Sequence, residues 1–258
     1  MNIILILLII LFILMIVVGG ERGSKSFFTL CFNFITLFIM LVLIAYKFDP
    51  IKITIFSCIL ISSITLFHIN GFNKKTISAL ISVTIVVLLT ILLSYNIGTK
   101  AQIQGFSSEQ LEGIAYLTLY IQINFSKVVM CQVLVGLLGA IIDVSISISS
   151  SMNEIYKNDS SITERNLFNS GINIGKDILG TMTNTLLFAY IGGFMTLIIY
   201  FNERRYSIAD IINTKIFCSQ IFQILCSGIG IILIIPVTSF ITSKILLFKS
   251  QTTKQQVD

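Results

Sequence analysis

Val128-Val129-Met130-Cys131-Gln132-Val133-Leu134-Val135-Gly136-Leu137-Leu138-Gly139-Ala140-Ile141-Ile142-Asp143-Val144-Ser145-Ile146-Ser147-Ile148-Ser149-Ser150-Ser151-Met152-Asn153 is a run of 26 residues with one charged side chain, Asp143. A hydrocarbon core about 30 Å thick is crossed by about 20 residues of helix, so this run is long enough to span. It lacks the strict alternation over about ten residues that marks a barrel strand. Lipid leaves no partner for unpaired backbone groups, so a helix is the remaining reading.

Outward from this run the same pattern recurs. Windows free of Asp, Glu, Lys and Arg cover 1–20, 26–46, 53–73, 76–99, 178–202 and 216–243. Together these predict an all-α polytopic transmembrane bundle, a single domain over 1–258. Its seven spans are placed at about 1–18, 27–46, 53–70, 76–96, 128–153, 178–200 and 217–243. The first window has no basic n-region and no small-x-small cleavage site, which makes it a retained span rather than a secretion signal. Of the 258 residues 55% are apolar and 11% charged, and the mean hydropathy is +0.95. Ordinary soluble domains carry about 25% charged residues. A soluble enzyme, a disordered tail and a nucleic-acid module are thereby excluded, and the partner expected first is membrane lipid.

The 17 Lys and Arg against 12 Asp and Glu give a net charge of +5, scattered too thinly to form a basic stripe. Their placement bears on topology instead. Ten cations (Arg22, Lys25, Lys74, Lys75, Lys157, Arg165, Lys176, Lys244, Lys249, Lys254) fall on one side of the predicted spans. Seven (Lys47, Lys52, Lys100, Lys127, Arg204, Arg205, Lys215) fall on the other. The positive-inside rule then puts the N-terminus outside and the C-terminus in the cytoplasm. The five cysteines, Cys31, Cys58, Cys131, Cys218 and Cys226, lie in or beside apolar runs with no Cys-x-x-Cys pair, so free thiols are expected and no metal site.

Three connections carry amphipathic helix signals. Ser107-Ser108-Glu109-Gln110 opens an interfacial helix within 95–126, Ser161-Ile162-Thr163-Glu164 opens a polar helix within 152–176, and Tyr206–Ile212 forms a short piece before the last span. Pro236 lies inside the last span, where a kink is expected.

An ionised carboxylate at the middle of a span costs about 2.5–3.5 kcal/mol even on lenient scales, which singles out Asp143. Positions 136, 139, 140, 143, 147, 150, 151 and 154 share a helix face and read Gly, Gly, Ala, Asp, Ser, Ser, Ser, Glu. Such a face either packs closely on a neighbour or lines a wet path. In the sixth span, Asp177, Thr181 and Asn184 share a face, after the Gly171–Gly175 pair and beside Gly180. Asp143, Ser147, Thr181 and Asn184 are the candidates for a proton or ion path. Gly136, Gly139, Glu154, Gly171, Gly175, Lys176, Asp177, Gly180 and Pro236 are read as packing or membrane-edge residues. His68, Asn33, Gln220 and Gln223 are read as structural polar groups. No phosphate loop, nucleophile elbow or His-Glu-x-x-His motif occurs, so no enzyme, cofactor or metal is expected. An aspartyl-protease pairing of Asp143 with Asp177 is disfavoured because Asp177 sits at the membrane edge.

These residues carry a resemblance to the YibE/F family of bacterial integral membrane proteins. The segments are Gly19-Gly20-Glu21-Arg22-Gly23, Gly105-Phe106-Ser107-Ser108-Glu109, Gly139-Ala140-Ile141-Ile142-Asp143-Val144 with Glu154, and Ser170-Gly171 with Gly175-Lys176-Asp177. Gly180-Thr181-Met182-Thr183-Asn184-Thr185, Ala189-Tyr190 and Gly228-Ile229-Gly230 with Pro236 complete them. They run in order over nearly the whole chain; Lys176 stands where arginine is expected. The resemblance implies a short member in the bacterial plasma membrane, without the extracytoplasmic region of longer relatives. It gives no substrate. The order of an acid in mid-helix, a polar connection, an outward helix and a last helix with proline is similar to half of a resistance-nodulation-division or Sec-accessory permease. On that analogy of arrangement Asp143 is the proton-carrying acid. Two functions follow as expectations: a permease or permease subunit coupled to protons or ions, or a non-transporting scaffold for a longer YibE/F partner. Small-residue faces on two helices imply a homo- or hetero-oligomer.

Overall fold

The computed structural model describes residues 3–100, 125–203 and 205–254. Among them the regular structure is helical: α1 (Ile3–Ala45), α2 (Pro50–Asn70), α3 (Lys74–Lys100), α4 (Phe125–Asn158), α5 (Glu164–Glu203), α6 (Ile208–Asn213) and α7 (Lys215–Lys254). The interfacial helix read in 95–126 lies largely outside the described residues.

Five helices, α1, α2, α3, α4 and α7, are long and apolar enough to cross a membrane, and α5 makes a sixth when its bent halves are taken as one. The seven windows map onto these six because the first two fall on α1. That element is two helical segments meeting at Gly20, whose φ of 56° and ψ of −133° leave the helix. Residues 12 and 27 would stand about 22 Å apart on a straight helix, yet the rings of Phe12 and Phe27 have centroids 4.6 Å apart. The chain therefore turns back on itself within Gly19–Gly23. A Cβ on Gly23 would strike the Met15 carbonyl, so the return also depends on the missing side chain there.

Local chemistry fixes the other boundaries. Asp49 caps α2 by accepting from the Ile51 amide (3.2 Å), Pro50 occupies the first turn, and Gly71 at φ 72° closes the helix with its N–H on the Phe67 carbonyl. The polar helix opening near Glu164 does not stop before the sixth span but continues into it as α5. That helix bends by 46° between Gly193 and Leu197, next to the Gly192-Gly193 pair. Ser207 and Asp210 form a reciprocal capping box at the start of α6, the short piece expected before the last span. α7 runs through Pro236, which is exposed, as a single span.

α4 is the middle of the bundle and packs on α2, α3, α5 and α7. Leu137, Ile141, Val144, Ile148 and Met152 are fully buried along it, against Val83, Val86 and Val87 of α3 and Ile231 and Ile234 of α7. Water gives no hydrophobic drive between helices in lipid, so close packing and interhelical hydrogen bonds carry the association. The Ser145 hydroxyl donates to the Ala79 carbonyl (3.2 Å) and accepts from Thr238 (3.2 Å), joining α3, α4 and α7 at one point.

Candidate functional site

Two ties set the level of Asp143. Lys127, at the head of α4, donates to Asp49, the cap of α2, at 3.1 Å. The two helices run the same way from there, and sixteen residues further along each come Thr65 and Asp143, about 24 Å into the bundle. The second segment of α1 runs antiparallel to α2, held by Asn33 Nδ2 donating to Thr65 Oγ1 at 2.9 Å and by Thr29 Oγ1 bonded to His68 Nδ1 at 2.9 Å. The Thr29 hydroxyl also donates to the Lys25 carbonyl (2.8 Å), so the His68 ring supplies the proton of the shared bond.

The three helices line an open cleft of about 240 Å³ bordered by Asn33, Leu37, Ile61, Thr65, Val135, Leu138, Gly139, Ile142 and Asp143, where the Asp143 side chain is exposed. Its polar content is all oxygen-bearing: one carboxyl, one amide, one hydroxyl. The Asn33 Oδ1 atom is buried and accepts no hydrogen bond. None of the residues lining the cleft is cationic, and no described residue forms an ion pair with Asp143. A Cβ on Gly139 would meet nothing within 4 Å, so this glycine widens the cleft and does not seat a neighbouring helix.

The other residues singled out in the sequence fall into distinct places. Ser147 is half-buried one turn beyond Asp143 and does not line the cleft. Thr181 and Asn184 are exposed on the outer side of α5, the Thr181 hydroxyl donating to its own helix at Ile178 (2.8 Å). They do not join Asp143. α5 packs inward through Leu167, Gly171 and Gly175, and its polar face is rotated off that contact. Gly171 and Gly175 are close-packing residues as expected: an added Cβ would lie 2.6 Å from Met152 Sδ and 2.7 Å from Ser239 Oγ at the first, and against the Ile235 side chain at the second. Gly136 is likewise crowded, by Tyr190 and by Gln223 Nε2 at 2.6 Å, where Gln223 donates to the Gln132 carbonyl (3.2 Å) and Tyr190 shares a bond with Ser227 (3.2 Å). Gly180 has nothing within 4 Å. Glu154 is paired on the surface with Lys157 at 2.9 Å, and Lys176 and Asp177 are exposed. All five cysteines are free.

Asn33, expected as a structural polar group, and Thr65, which the sequence did not single out, both line the cleft with Asp143. Each is one of several uncharged polar residues in its window, without the charge that marked Asp143, and only the packing of α1 on α2 shows that they face one another.

A family model described as YibE/F-like protein matches residues 7–247. No curated protein and no solved structure matches the chain.

Proposed function

The chain belongs to the YibE/F-like protein family, and from that premise we propose that it is a permease or permease subunit in the bacterial plasma membrane, moving a proton or ion by way of Asp143. One observation carries this reading: an acid within an apolar helix, itself exposed, borders a cleft that offers it no cation and holds a buried amide oxygen, Asn33 Oδ1, without a donor. A carboxyl kept only for packing would be expected to hydrogen-bond across a helix interface. Asp143 has no such bond among the described residues, and intramembrane acids in polar clefts commonly mark ion or proton pathways. In this reading the chain moves its cargo and transforms none. α1 crosses twice, with Gly20 at the turn, which gives seven crossings, the N-terminus outside and the C-terminus in the cytoplasm. Counterflow in proteoliposomes made with the wild type and with Asp143→Asn tests the proposal: the wild type exchanges its cargo and the variant does not.

A second reading, a scaffold for a longer YibE/F relative or for another copy of itself, is favoured by the outer face of α5. Thr181, Thr183, Asn184 and Thr185 are exposed there at membrane depth, where hydrocarbon is a poor solvent for them. Co-purification with such a relative that is lost on Asn184→Leu, in protein inactive for counterflow, would support it over transport.

A further inference from the structure

We propose that the Asn33–Thr65–Asp143 cleft is a binding site for a monovalent alkali cation, sodium being the best fit. This rests on the ion-handling reading and names the ion. Three oxygen functions from three helices border one cavity: the Asp143 carboxylate, the Asn33 amide carbonyl and the Thr65 hydroxyl. Asn33 Oδ1 has no donor, Asp143 receives no hydrogen bond from a described residue, and Thr65 Oγ1 takes the Asn33 amide proton on one lone pair with another left over. The Asp143 carboxylate and the unpartnered Asn33 Oδ1 are acceptors that a cation in the cleft would complete, and the Thr65 oxygen, whose hydroxyl proton can rotate away, adds a third ligand.

The donor set selects which cation. Oxygen ligands suit hard ions, and no imidazole or thiol lines the cleft to hold a softer metal. Among the described residues no cluster of three or more His, Cys, Asp or Glu occurs that would hold a transition metal. One carboxylate neutralises one positive charge. A divalent ion would keep a net charge inside the bilayer, at high solvation cost. A water takes about 30 Å³ of liquid volume, so about 240 Å³ leaves room for the ion and several waters to fill out its coordination. A bare proton on Asp143 would need a single acceptor in direct contact and none of that volume.

The α1 side chain makes this site conditional on the hairpin. Asn33 belongs to the segment that follows the Gly20 turn and reaches the cleft only because that segment lies along α2. Binding should therefore tie α1 to the α2–α4 pair.

The test uses the full-length purified protein in mild detergent at pH 8 and constant ionic strength, with N-methylglucammonium chloride replaced stepwise by lithium, sodium or potassium chloride. The midpoint of thermal unfolding is read at each step. The wild type is expected to gain a saturable rise with sodium; Thr65→Val, nearly isosteric, should weaken the apparent affinity roughly tenfold, and Asp143→Asn and Asn33→Leu should abolish the rise. Should Asn33→Leu fail to fold, Asn33→Ser, which shortens the reach of the ligand, replaces it. A wild-type midpoint indifferent to all three cations, or a rise that persists in Asp143→Asn, overturns the site. So does a midpoint that answers to pH alone. These outcomes are separable from failure of the transport reading: an inactive Asp143→Asn beside a cation-indifferent wild type removes the sodium site and leaves the permease.

Discussion

The Lys127 ammonium lies 3.1 Å from the Asp49 carboxylate, and this contact ties the head of α4 to the cap of α2. The Lys127 hydrogen bond first, and the Ile51 amide after it, hold the Asp49 carboxyl below the usual carboxylate range against the opposing effect of partial burial. A folded-state value below the unfolded one means that the contribution is fully present above the ordinary aspartate value of about 3.9 and is lost as the pH falls through the lower, folded value. With side chains 34% and 37% exposed, the pair is screened and is worth at most about 1 kcal/mol. Asp49→Asn should therefore lower the unfolding midpoint slightly at pH 7 and flatten its decline below about pH 4. Melting curves between pH 2 and 7 decide this, and an unchanged acid limb would remove Asp49 from the account.

The Gly20 turn makes a second prediction. With φ at 56° and ψ at −133°, the backbone lies where side-chain-bearing residues are strained. Gly20→Val should straighten or loosen the hairpin at a cost of about 1–3 kcal/mol. Paired cysteines placed at Phe12 and Phe27, whose rings are 4.6 Å apart, should crosslink efficiently on an otherwise wild-type backbone and poorly when Gly20→Val is added. Equal crosslinking in both would mean that the turn does not depend on this glycine.

Glycines that look alike in sequence should behave in opposite ways. Gly175→Val forces a branched side chain into the Ile235 contact, and Gly171→Leu drives one into Met152 and Ser239; overpacking of this kind costs about 1–3 kcal/mol. Gly180→Ala meets nothing within 4 Å and replaces a poor helix former with the best one, for a gain of up to about 1 kcal/mol. Membrane abundance and detergent melting of the three variants would separate them. A destabilised Gly180→Ala would imply a neighbour on the outer face of α5, such as the partner of the scaffold reading.

What was legible in the sequence follows from what is local. Charge-free windows mark the apolar helices because burial in lipid acts on each residue separately, and the Gly171–Gly175 spacing announces a close contact because i and i+4 share a face. The turn at Gly20 was visible as Gly19-Gly20-Glu21-Arg22-Gly23 but not as a continuous helical element folded on itself. The partners of Asp143 were not legible. Thr181 and Asn184 looked suitable because they are polar and follow in chain order, yet the angular position of α5 is set by Gly171, Gly175 and Leu167 and carries them outward. Asn33 and Thr65 border one cleft with the acid because α1 and α4 both pack on α2, and Ser145, off the small-residue face, bonds α3 and α7 through the core. Such relationships lie between helices, and no periodicity within one helix encodes them.

The variants of Asp143 and of the α5 face together discriminate the proposed roles. Asp143→Asn keeps the volume and polarity of the side chain, so membrane abundance should match the wild type, while an ion- or proton-coupled flux should fall to background because the amide carries no charge and releases no proton. If the acid served only as interhelical glue, the same change would be nearly silent, since a neutral carboxyl and an amide both form bonds worth about 1 kcal/mol. Asp143→Leu extends the contrast: a packing role predicts poor assembly, whereas an ion role predicts an assembled, inactive protein, the more so because the residue borders a cleft and not a tight contact. Thr181→Val and Asn184→Leu should leave flux intact, as neither side chain reaches the cleft. Scoring all four for membrane abundance first and for flux in liposomes second gives each role its own signature. A fully active, normally abundant Asp143→Asn would end the ion-path assignment, and loss of flux in Asn184→Leu with Asp143 intact would move the path to the outer face of α5.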